Sequence, residues 1–135
     1  MLERNEMAGN WREIAGTFDD ALARLPEALK AEGFGIVSEI DLQATFKAKL
    51  SVDFRRYRII GACNPGLAHQ AVNLDPRIGV LLPCNVVLYE TDQGKVVMGA
   101  VDPMQTLGGH GHGEGLAPVA ADVRGRLERV LARMQ

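Results

Sequence analysis

The stretch that most constrains this chain is CNVVLYETDQGKVVMGAV, residues 84–101. From Asn85 the side chains of Val86, Val87, Leu88 and Tyr89 fall on alternate faces of an extended strand. A turn follows at Asp92-Gln93-Gly94, and Lys95 to Val101 returns. Two β-prone runs joined by a short glycine-containing turn predict a β-hairpin, so the fold is built on antiparallel pairing.

How much structure surrounds that hairpin is bounded by size. The chain has 135 residues, 47% apolar and 24% charged, which suits a single domain over 17–135 behind a leader at 1–16. A formal charge of -2 and few aromatic residues argue against nucleic acid as a partner. The charged N-terminal MLERNEMAGNWREI lacks the apolar core of a secretory signal, and no apolar run reaches the length of a membrane span. The expected location is cytoplasmic, where two cysteines default to free thiols rather than a disulfide framework.

Taken in order, Trp11, Ile14 and Gly16 allow a short first strand at the end of the leader. Thr17 and Asp20 form a capping box, and Phe18, Leu22, Leu25 and Leu29 repeat as one apolar stripe of a helix that Gly33 closes. Pro26 removes an amide inside that helix and predicts a kink or two shorter pieces. Phe34 to Ile40 reads as a strand. Asp41 then caps a second helix with Leu42, Phe46 and Leu50 on one face and Gln43, Lys47 and Lys49 in water. Arg55, Arg56 and Arg58 can hold an anion, but such a cluster more often pairs with nearby carboxylates.

Both cysteines lie beside proline and before asparagine, in Cys63-Asn64-Pro65 and Pro83-Cys84-Asn85. A strand over 57–62 leads to Cys63. Asn64 and Pro65 then open a helix to about Leu74 with Leu67, Ala68, Ala71 and Val72 buried, and Asp75-Pro76 ends it. A thiol just before a helix N-terminus is favoured as thiolate, whereas the commonest fate of a free cysteine is burial as a small hydrophobe. Pro83 breaks the apolar run 78–82, so Cys84 starts a new strand. If that strand pairs with 57–62, the two thiols meet, and Cys63, Asn64, Cys84, Asn85 and His69 become candidate ligand contacts. His69 also reads as a solvent-facing helix residue.

Two further features complete the chain. GGHGHGEG, 108–115, places His110 and His112 at half of a metal site with Glu114 nearby, or forms only a surface loop. Pro118 opens a last helix with Val119, Val123, Leu127, Val130 and Leu131 inside and Arg124, Arg126, Glu128 and Arg129 outside; Arg129 and Arg133 suit its C-terminal dipole.

The segments GFGIVSEIDLQATFKAKL (33–50) and YRIIGACNPGLAHQAV through IGVLLPCNVVLYE (57–90) resemble the domain-of-unknown-function 302 family, with the paired CNP and LLPCN elements carrying the likeness. The resemblance implies an α+β domain with an antiparallel sheet backed by helices, often dimeric, with no established activity. The residues predict a two-layer fold in β-α-β-α-β-α-β-β-α order, and the resemblance implies that it assembles as a homodimer. Three functions stay open. Cys63 and Cys84 cycle with a disulfide or persulfide, Cys63 attacking and Cys84 resolving, although the chain has no CxxC. Alternatively the pair holds a soft metal ion or another small ligand, or it only packs within a dimerising scaffold. No nucleotide-binding motif is present.

Overall fold

A computed structural model describes Met7 and residues 9–107 and 115–135. The strands are β1 Gly9–Ile14, β2 Gly35–Asp41, β3 Tyr57–Cys63, β4 Cys84–Glu90 and β5 Val96–Val101, and the helices are α1 Phe18–Lys30, α2 Leu42–Leu50, α3 Pro65–Leu74, α4 Pro103–Thr106 and α5 Leu116–Met134. One sheet of order β1-β5-β4-β3-β2 holds all five strands, every neighbouring pair antiparallel. The α+β architecture read from the sequence is therefore the one found.

Alternation along the strands sorts the sheet into two faces. Ile14, Ile60, Ala62, Val86, Leu88, Val96, Met98 and Ala100 are buried, and α1 and α5 pack on them to form the core. On the opposite face Trp11 lies against Gly99, where a Cβ would come within 2.4 Å of the indole, so only glycine fits beneath the ring. The turn at 91–95 closes the β4-β5 hairpin as expected, with Gly94 in the left-handed region at φ 79°. Cys84 does begin β4, after a cis Leu82-Pro83 bond.

Several elements depart from the sequence reading. Pro26 does not divide α1 into two pieces; one helix of 13 residues runs through it. Pro26 faces solvent, so its ring is not forced into the core, and both ends of α1 are pinned. Thr17 caps the start, and bonds from the Phe34 amide to the Leu29 carbonyl and from Gly33 to Lys30 close the end around Gly33 at φ 84°. The helix α2 buries no residue, contrary to the Leu42-Phe46-Leu50 stripe, because it sits at the end of edge strand β2 and packs mainly on β2 and β3. In α3, Leu67 and Ala71 are buried but Val72 is exposed. A 3-10 turn over Pro76–Leu81 fills the stretch before Pro83.

Candidate functional site

The β3-β4 register sets Ala62 directly opposite Cys84. Cys63, the last residue of β3, and Cys84, the first of β4, then stand at one end of the central strands and wall the same cavity. Its other walls come from Phe34 before β2, Asn64 and Leu67 at the start of α3, Pro83, and Val119 and Val123 of α5. The space amounts to about 20 Å³, room for about one water-sized body.

The two sulfurs differ. Both cysteines are free. Cys84 is only 7% exposed, and burial, with a smaller contribution from neighbouring Cys63, pushes its thiol up to about 11. Cys63 is half-buried. Asn64, between Cys63 and α3, uses its Oδ1 to accept the Leu67 amide at 3.2 Å while its Nδ2 donates to the Glu32 carbonyl at 3.5 Å. The amide side chain therefore fixes the wall of the cavity and starts α3.

Behind Asn64 stands a cluster that the sequence did not disclose. Glu32 is 7% exposed, and its carboxylate accepts from Arg129 Nε at 2.8 Å and Arg133 Nη2 at 3.5 Å, while its carbonyl accepts from Arg126 Nη1 at 2.9 Å. The Arg129 hydrogen bond holds the Glu32 carboxyl below its ordinary range. Arg129 and Arg133 thus bind a specific acid as well as sitting in the last turns of α5. A lone Glu between a helix and a glycine gave no sequence signal for this.

The remaining candidates fall elsewhere. Asn85 is exposed and follows Cys84 onto the opposite sheet face. His69 is exposed on α3, its Nε2 3.2 Å from the Asn73 amide, and does not line the cavity. His110 and His112, with Glu114, lie outside the described residues. Among the described residues no group of three or more His, Cys, Asp or Glu side chains is placed to hold a metal ion. The arginine cluster is paired as its commoner reading expects: Arg55 with Asp92 at 3.0 Å, Arg56 with Asp19 at 2.7 Å, and Arg58 with Glu39 and Asp41.

Residues 12–134 match the family described as Domain of unknown function DUF302. The chain belongs to the DUF302 family. A crystal structure described as an uncharacterized conserved protein DUF302 from Bacillus stearothermophilus is similar over 96% of this chain and 99% of that one, at 28% identity and a TM-score of 0.86. No curated protein matches the chain. No helix among the described residues is long and apolar enough to cross a membrane.

Proposed function

We propose that this DUF302 chain is a small-ligand-binding domain whose site is the cavity between Cys63 and Cys84. The observation that carries this reading is the strand register, which brings two cysteines 21 positions apart to the wall of one cavity. Binding fits better than thiol-disulfide turnover. A resolving cysteine must supply a thiolate, and a thiol pushed up to about 11 supplies little near neutrality. The cavity admits an occupant of atomic size, which favours an ion or a single bridging atom over an organic substrate.

Equilibration of the reduced protein in a glutathione redox buffer tests whether the sulfurs share one site. Two thiols lose their hydrogens to glutathione disulfide, giving one protein disulfide and two glutathione thiols. The expected product is an intramolecular Cys63-Cys84 link, formed slowly near neutrality and faster with rising pH. A product glutathionylated on Cys63, with Cys84 still a free thiol at equilibrium, would remove the joint site.

A second reading, self-association, is favoured by a separate observation. Ile36, Val37, Ile40, Leu50, Val52 and Phe54 are all exposed within one stretch of chain around edge strand β2. The occupant this surface suits is a second copy.

A further inference from the structure

We infer that Tyr57 and Tyr89 are an oxidative cross-link site, at which a peroxide-driven one-electron oxidant joins the two phenol rings of one chain into a biphenol. The site is separate from the cysteine cavity, which lies at the other end of the same two strands. Three observations converge on it.

The first is register. Tyr57 opens β3, Tyr89 is the next-to-last residue of β4, and the antiparallel pairing sets them directly opposite each other. Opposed residues share a sheet face, so two side chains 32 positions apart in the sequence become immediate neighbours. They are the chain's only tyrosines, so another phenol for either ring can come only from a second copy.

The second is ring geometry. The centroids lie 5.3 Å apart and the planes differ by 9°, a stacked pair. Parallel rings at this spacing are displaced along their planes, which brings the edge of one over the other. Phenoxyl radicals couple through the carbons beside the phenol oxygen, and rotation about the side-chain torsions closes the remaining gap without altering the register. Phe54, 6.3 Å from Tyr57, and Phe46, 5.0 Å from Phe54, back the Tyr57 ring from the α2 side.

The third is access. Both tyrosines are half-buried, on the sheet face opposite α1 and α5. Burial, with a smaller contribution from Tyr89, pushes the Tyr57 phenol above its ordinary range, so this ring gives up its electron and proton together. Each phenol loses its O–H hydrogen, the two radicals pair in one C–C bond, and the two displaced ring hydrogens return to the oxygens. The two electrons and two protons removed convert one hydrogen peroxide to two waters. The bond closes a loop that contains α3 and the 3-10 turn, which confines the unfolded chain.

The test treats the full chain, at low concentration, with a haem peroxidase and hydrogen peroxide, then with a thiol reductant that reopens any disulfide. Wild type is expected to give a single-chain product lighter by two hydrogen atoms, with the blue fluorescence of a biphenol. Tryptic digestion should yield one linked pair of peptides holding Tyr57 and Tyr89, and the urea midpoint should rise above that of untreated protein. The yield should not change on dilution, since one chain supplies both rings. Tyr57→Phe and Tyr89→Phe keep the stacked rings and are each expected to lose both the mass change and the fluorescence. A product of doubled mass, a link retained in either phenylalanine variant, or oxygen added to Trp11 and methionine with no link in wild type would each overturn the assignment.

Discussion

At the scale of single residues, the two cysteines differ because their surroundings do. Cys84 sits among hydrocarbon, which penalises its charged form. Unfolding returns the thiol to water and to its ordinary value of 9.0, whereas the folded thiol holds its proton to about 11. Between those values the unfolded chain binds fewer protons than the folded one, so stability falls as pH rises from about 9 towards 11. The loss amounts to at most roughly 2 to 3 kcal/mol. Urea unfolding of wild type and Cys84→Ala across this range isolates it from other titrations, and the difference between the two proteins should shift in the alanine variant's favour with rising pH. A constant difference would mean that Cys84 is not desolvated. This much of the site could be read from the sequence, because proline on either side of paired strands places Cys63 and Cys84 at adjacent strand ends. The fates of Asn85 and His69 could not, since a one-residue step along a strand reverses the face, and a helix position without a marked stripe leaves direction open.

At the scale of elements, the helix caps and the apolar stripes of α1 and α5 held, and the stripe of α2 did not. The caps at Thr17, Asp41 and Asn64 all form, because each side chain reaches its own backbone three residues on. The apolar stripe of α2 failed, since burial also needs a surface to bury against and α2 lies beside an edge strand. The Glu32 cluster joins the end of α1 to α5 and, through its carbonyl, to Asn64 at the start of α3. Partners up to 101 positions apart leave no local pattern in the sequence. Glu32→Gln is expected to cost about 2 kcal/mol near neutral pH, the range for hydrogen bonds to a charged group. A carboxyl held below its ordinary 4.5 stabilises the fold above that value and loses the contribution as pH falls through the folded value. Acid should therefore narrow the gap between wild type and Glu32→Gln in urea unfolding. A gap unchanged below pH 4.5 would show that the Arg129 and Arg133 contacts carry no net energy.

At the scale of the whole molecule, the fold leaves one end unfinished. Strand β2 pairs with β3 alone and buries none of its residues, with Val37 62% and Leu50 63% exposed. The register shift between Ile36 and Ser38 interrupts the edge, which blunts simple strand addition and directs association to side chains. Charges that would repel a copy are neutralised within the chain: Arg58 pairs with Glu39 and Asp41, and Lys47 with Asp53 at 2.9 Å. A surface that is apolar and internally neutral meets its own copy across a two-fold axis without like-charge conflict. Sedimentation equilibrium should therefore return twice the 14.6 kDa of one chain. The double variant Val37→Lys, Ile40→Lys should return a single mass, since like charges then face each other, while exposed substitutions of this kind leave stability within about 0.5 kcal/mol. A wild-type chain that sediments as a monomer would assign these side chains to another partner or to none. A dimeric lysine variant would move the contact away from β2 along the same sheet face, towards β1, where Trp11 covers Gly99.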